Sequence, residues 1–218
     1  MSILTDEQER FYAEQGYLLV TGLIPAEIAR EAEAAMRRLI ETADGSGGHA
    51  GHQVFEEPAL LACYTRPMLA AAARLAGDDP ATIRPPSRAY AINVFPQEGE
   101  WQWPAPHIDH AIQEHGHKTF PRAFRIAAMT FLSDVASHGG GTIVWPGSAQ
   151  KLLRLAETDP AQYETMWALN QDLSKADLGA PKELTPRQGD VLFYHCLCAH
   201  AGSQNVSDRP RLALNTKW

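Results

Sequence analysis

Pro106-His107-Ile108-Asp109 is the segment of this chain most suited to chemistry. In an extended segment, residues two apart point to one face, with Cα atoms about 6.6–6.8 Å apart. An imidazole and a carboxylate so placed can reach one cation at bond lengths of about 2.0–2.2 Å, while Ile108 turns into packing. A third ligand has to come from elsewhere, and the C-terminal region offers His195 and His200. Five residues apart, these two would face opposite ways along an unbroken strand. Two imidazoles and one carboxylate on one side of a metal leave other positions open, as in non-haem Fe(II) oxygenases. Arg211 stands eleven residues after His200, about where the next antiparallel strand would return toward the same pocket. A buried guanidinium needs an anionic partner, and its planar fork suits a carboxylate. A dicarboxylate could therefore hold the metal with one end and Arg211 with the other. Arg209 precedes Pro210 and fits a turn instead.

Other residues compete for attention. His110, His115 and His117 follow the dyad and could suggest a second metal, but a loop at the pocket mouth suits them better, and one of them could touch substrate. Cys196 and Cys198 lack two further cysteines for zinc or a cluster and read as small core residues. Trp101 and Trp103 either line the pocket mouth or pack. Arg122 and Arg125 could meet an anionic substrate but fit surface charge better, and Met166, Trp167 and Leu169 read as the apolar face of a helix.

Elements must bring this dyad and the late His and Arg together. The 218 residues are 44% hydrophobic and 21% charged, as expected of one soluble globular domain spanning 1–218. No apolar run is long enough for a membrane span, and the charged opening does not read as a secretory signal. Three cysteines make no disulfide framework and fit a reducing, cytoplasmic setting. A net charge of -7 without a long basic block argues against general nucleic-acid or anionic-membrane binding.

Helices are expected first: Thr5 with Gln8 forms a capping box, Gly16 closes that helix, and a short strand covers 17–20. Pro25 starts a second helix, broken at Asp44-Gly45-Ser46-Gly47-Gly48. A third helical region covers 58–76, punctuated by Pro67. Strands are expected over 89–95, 125–132, 142–145, 190–194, around His200, and over 211–217. Residues 150–178 read as a helical insertion with Asp159-Pro160 as its start. This order is α+β, mainly β in its second half, with the strands forming a sandwich or small barrel.

Four ordered blocks resemble the phytanoyl-CoA dioxygenase family of Fe(II)- and 2-oxoglutarate-dependent oxygenases. Residues 4–11, 16–20 and Ile24-Pro25 are similar to its N-terminal helix and strand. His107-x-Asp109 matches its metal dyad. Gly140-Gly141-Thr142-Ile143-Val144-Trp145-Pro146-Gly147-Ser148 resembles its Gly-rich strand and turn. Gly189-Asp190-Val191-Leu192-Phe193, then His200, Asn205, Ser207 and Arg211, is similar to its C-terminal motif.

The resemblance implies a double-stranded β-helix, or jelly roll, with N-terminal helices and a helical insertion between strands. It implies that His107, Asp109 and His200 ligate Fe(II), that Arg211 holds the distal carboxylate of 2-oxoglutarate, and that Asn93 contacts that co-substrate. It further implies O2 as oxidant, with hydroxylation of an unactivated C–H of a small molecule and release of succinate and CO2. Asp109 stands where related halogenases carry a small residue, which points away from halogenation. The family usually has His after Pro-Gly-Ser, where this chain has Ala149. A cupin-like metal protein, isomerase or ligand-binding, would use the same three metal ligands but would have no need of Arg211.

Overall fold

The computed structural model describes residues 3–42, 51–79, 81–122 and 124–218. Helix α1 (Asp6–Gln15) starts at Thr5, whose hydroxyl accepts from the Gln8 backbone N–H at 3.2 Å while Thr5 N–H donates to the Gln8 side chain at 2.9 Å. Gly16 ends it at φ 79. A Cβ on Gly16 would lie 2.8 Å from the Ala149 Cβ, so this crossing and the positive φ both call for glycine at 16. Strand β1 (Tyr17–Val20) and helix α2 (Ala26–Thr42) follow. The expected break at Asp44–Gly48 lies outside the described residues.

Strand β2 (His52–Phe55) was not expected from the sequence. The 58–76 region is two helices, α3 (Pro58–Leu61) and α4 (Arg66–Ala76). Thr65 caps α4 and Pro67 sits in its first turn, so this proline begins a helix rather than interrupting one. Strands β3 (Ala89–Ile92), β4 (Ile126–Phe131) and β5 (Thr142–Val144) match the expected positions. The insertion holds α5 (Ser148–Thr158), α6 (Met166–Gln171) and a 3₁₀ turn at Leu173–Ala176. Asp159-Pro160 closes α5 instead of starting a helix, and Thr165 caps α6. Strands β6 (Lys182–Glu183), β7 (Val191–His195), β8 (His200–Gly202) and β9 (Ala213–Lys217) complete the chain.

The strands make two antiparallel sheets, a six-stranded one ordered β1-β7-β4-β9-β3-β2 and a three-stranded one ordered β6-β5-β8. Alternation along the large sheet divides the core in two. Leu18, Val20, Ile126, Ala128, Val191, Phe193 and Leu214 face helices α2, α3 and α4. Tyr17, Ala127, Met129, Leu192, Tyr194 and Ala213 face inward, toward β5, β8, α5 and α6. The inner face carries the polar groups described next. No helix among the described residues is long and apolar enough to cross a membrane.

Candidate metal centre

His107 and His200 are set by backbone pairing between the segment before β4 and strand β8. Each backbone N–H donates to the other residue's carbonyl at 2.9 Å, a two-bond antiparallel pair that holds both side chains on one side. The rings lie 4.5 Å apart. Asp109 follows at the same phase, and Ile108 is buried between them with its N–H donating to Asn170 Oδ1 of α6 at 2.9 Å. One ligand atom each from His107, Asp109 and His200 falls within 4.8 Å of the others, the one such cluster among the described residues.

Neighbouring groups orient the three side chains and set their protonation. His200 Nδ1 lies 2.9 Å from the Cys198 carbonyl, which can only accept, so Nδ1 carries a proton and Nε2 is the atom turned to the cluster, 3.7 Å from Asp109 Oδ2. Burial and the neighbouring His200 push the His107 imidazole down to about 4, so it stays neutral near pH 7. Burial alone would raise the Asp109 carboxyl, but His200 and Lys217 outweigh it and hold it below its ordinary value. Tyr194 Oη donates to Asp109 Oδ2 at 3.1 Å and accepts from Asn215 Nδ2 at 3.0 Å. Complete burial raises the Tyr194 phenol well above its ordinary value, so it remains a proton donor. Lys217 Nζ lies 2.9 Å from Asp109 Oδ1.

A cavity of about 370 Å³ opens from this cluster, lined among others by Ile92, Val94, Met129, Thr142 and Arg211. Arg211 is 2% exposed. Its Nε donates to the Gly140 carbonyl at 3.1 Å and its Nη1 lies 3.3 Å from Met129 Sδ. Among the described residues it has no carboxylate partner, and burial lowers its pKa to about 10. Gly140 sits at φ +78, and a Cβ there would press on Val94 and Asn205 at 3.0 and 3.1 Å, so only glycine presents its carbonyl to Arg211 without strain. Asn205 donates to the Val94 and Arg209 carbonyls and accepts from the Ser207 N–H and hydroxyl, which fixes the turn that delivers Arg211. Arg211 returns not beside β8 but opposite Val94, on the facing sheet.

The structure thus brings His107, Asp109, His200 and Arg211 to one cavity and does not bring Asn93. Tyr90, Ile92 and Val94 point inward. Asn93, one residue out of phase, points to the helix side, where its Nδ2 lies 3.5 Å from Met36 Sδ and its Oδ1 accepts from Ala213 N–H at 3.3 Å. Asn93 is thus not among the residues that line this cavity. His195 turns away to Arg122 at 2.9 Å, and Arg125 pairs with Asp78. In their loop His110 and His117 stack with rings 4.5 Å apart, and His115 meets His117 edge-on at 5.6 Å. Cys196 and Cys198 are buried core thiols pushed up to about 11 and about 12 by burial. Trp101 stacks on His138 at 4.2 Å and Trp103 is largely exposed. Ser148 of the Pro-Gly-Ser turn accepts from the Ala199 N–H at 2.9 Å and so supports the approach to His200.

Sequence reasoning missed Tyr194, Asn215 and Lys217. The signal was present in part: Arg211, Ala213, Asn215 and Lys217 alternate along one strand face, and polar residues on an inward face are exceptional.

The family profile described as phytanoyl-CoA dioxygenase matches residues 12–213. No curated protein sequence matches the chain. Among solved structures, the epimerase SnoN in complex with Fe3+, alpha ketoglutarate and nogalamycin RO is 22% identical, with TM-score 0.69, covering 97% of this chain and 82% of that one. The non-haem alpha ketoglutarate dependent carbocyclase SnoK from nogalamycin biosynthesis is 20% identical, with TM-score 0.64, covering 98% and 83%. EctD from S. alaskensis with 2-oxoglutarate and 5-hydroxyectoine is 17% identical, with TM-score 0.61, covering 98% and 75%. This chain shares their fold.

Proposed function

The chain belongs to the phytanoyl-CoA dioxygenase family, and on that footing we propose that it is an Fe(II)- and 2-oxoglutarate-dependent dioxygenase that hydroxylates an unactivated C–H of a small molecule. Its two facing sheets are read as a double-stranded β-helix forming one domain. The observation that carries the proposal is Arg211: a fully buried cation with no acid partner among the described residues, in the same cavity as a His-Asp-His cluster. A buried unpaired charge is costly to fold around, and a dicarboxylate bound through the metal supplies the missing anion.

The donor set fits iron: two imidazoles and one carboxylate on one side suit Fe(II) and leave positions open. His107, Asp109 and His200 would hold the metal, and Arg211 would take the distal carboxylate of 2-oxoglutarate through its planar fork. When bound, iron, 2-oxoglutarate and O2 supply the oxidising power, with succinate and CO2 as by-products. The chain's own residues prepare the site. Burial keeps His107 deprotonated at neutral pH, and the Cys198 carbonyl fixes His200 in the tautomer that offers Nε2. Ile92, Val94 and Met129 line the cavity with apolar surface that disfavours bulk water. Asp109 occupies the position a halide would need, so the proposed outcome is oxygen insertion rather than halogenation.

The test is anaerobic addition of Fe(II) and 2-oxoglutarate, with absorption in the visible, then admission of air and measurement of succinate with and without a metabolite library. The reading requires a metal-dependent absorption change on adding 2-oxoglutarate, abolished in Arg211→Ala. If metal binds but 2-oxoglutarate does not, in wild type as in the variant, the cupin-like isomerase or binding reading replaces it. Product mass separates hydroxylation, which adds one oxygen atom, from epimerisation or ring closure, which add none.

A further inference from the structure

Three protein ligands and two oxygens of 2-oxoglutarate leave a six-coordinate iron one position. A carboxylate ligand that lent both oxygens would close it. In Asp109 the two oxygens are separately engaged. Oδ2 faces His200 Nε2 at 3.7 Å and receives the Tyr194 hydroxyl at 3.1 Å, while Oδ1 lies 2.9 Å from Lys217 Nζ. A carboxylate oxygen has lone pairs for both a metal and a hydroxyl donor, so Tyr194 leaves Oδ2 able to ligate. Lys217 holds the other oxygen, Oδ1.

The sheet builds this arrangement. Tyr194 on β7 and Lys217 on β9 are both registered to Ala127 of β4, forming one row across three strands on the inner face. The Ala127 methyl leaves a gap between a long phenol and a long ammonium, and the Asp109 carboxylate sits between their tips. The Lys217 ammonium approaches 5.4 Å from the Phe124 ring centroid, which helps fix its path. Among the described residues Lys217 pairs with no other carboxylate.

We infer that Lys217 is a positioning residue that pins Asp109 Oδ1 away from the metal, so that Asp109 ligates through one oxygen and a coordination position stays open for O2. This rests on the iron and 2-oxoglutarate reading above. The pin acts on the geometry of the carboxylate, which separates it from a general attraction of Lys217 for the co-substrate anion.

The experiment uses the whole chain, loaded anaerobically with Fe(II) and 2-oxoglutarate, and compares wild type with Lys217→Met and Lys217→Arg. Three quantities are read: Fe(II) affinity by chelator competition, 2-oxoglutarate affinity from the visible absorption, and affinity for nitric oxide, a neutral stand-in for O2, by its paramagnetic signal. Lys217→Met should keep Fe(II) affinity, because a second Asp109 oxygen enters the shell, and should bind nitric oxide about tenfold more weakly, the scale on which groups supporting a metal ligand act. Lys217→Arg should restore nitric oxide binding. Unchanged nitric oxide binding in Lys217→Met overturns the inference, whether or not 2-oxoglutarate affinity falls, since a fall in the latter alone marks a charge effect. Should Lys217→Met not fold by circular dichroism, Lys217→Ala asks the same question of the same residue. If wild type itself gives no absorption change, the iron and 2-oxoglutarate reading fails and the pin falls with it, an outcome distinct from a failure of the pin in a protein that loads normally.

Discussion

Arg211 has an unusual energetic position for a charged residue. It is buried with a carbonyl and a thioether for company, so the unliganded fold bears its desolvation without an ion pair in return. Replacing such a group by an apolar side chain of similar volume is commonly neutral or stabilising. Arg211→Met should therefore melt at or above wild type when both are free of ligand, while its 2-oxoglutarate affinity falls by about 3–5 kcal/mol, more than a hundredfold, as measured by calorimetric titration. A loss of stability in the free protein would show instead that the guanidinium is a structural strut. His195 gives a prediction outside the cavity. Burial and the adjacent Arg122 lower its pKa to about 4, whereas the unfolded chain titrates it near about 6.5. Between these values the unfolded state binds the additional proton, so stability falls as pH drops through this window, by up to about 1.4 kcal/mol per pH unit. Urea unfolding near about pH 7 and about pH 5 should show a smaller loss for His195→Gln than for wild type. Equal losses would mean that His195 is protonated in the fold.

The elements that carry these residues differ in how plainly the sequence announces them. Ala127 shows what register adds. It is fully buried in the middle strand, between Tyr194 and Lys217, and leaves room for the Asp109 carboxylate. Ala127→Leu should fill that seat, costing about 1–3 kcal/mol of stability by overpacking and weakening Fe(II) binding far more than a mutation of Ala128, which faces the helices. Equal effects at both positions would refute the row. A second brace comes from α6: Asn170→Leu strands the Ile108 N–H, a loss of about 1–3 kcal/mol that should appear jointly in urea unfolding and in chelator competition for Fe(II). Local chemistry made much of the scaffold readable beforehand. The Thr5 and Gln8 cap, the left-handed Gly16, and the strands 125–132 and 142–145 follow from neighbours in sequence. Strand β2 did not, because His52–Phe55 is a four-residue edge strand without a strong apolar alternation, and β6 has only two residues. The phase of Asn93 depends on Val94 pairing with Arg211, a contact between distant segments that the local sequence does not show. Tyr194, braced by Asn215, and Lys217 converge on Asp109 through cross-strand register, which spacing along one strand does not supply.

At the scale of the molecule the cavity joins its two sheets. His200 belongs to the three-stranded sheet and carries His107 by backbone pairing, while Tyr194, Asn215 and Lys217 belong to the six-stranded sheet and Arg211 leads into it. A metal on the His-Asp-His cluster engages chiefly one side, and Arg211 waits on the other. A co-substrate that binds metal and guanidinium together therefore closes a link between sheets that neither ligand makes alone. Each ligand stabilises the fold by mass action, about 2.7 kcal/mol at a hundredfold excess over its dissociation constant, or roughly 5–10 °C in melting temperature for a chain of this length. Fe(II) and 2-oxoglutarate together should raise the melting temperature by more than the sum of their separate effects, a positive coupling between the two sites. In Arg211→Met the shift from Fe(II) should persist and the additional shift from 2-oxoglutarate should vanish. A chelator should return the wild type to its unliganded melting temperature. Strictly additive shifts, or a 2-oxoglutarate shift that survives both the chelator and the loss of Arg211, would place the co-substrate somewhere other than across this cavity.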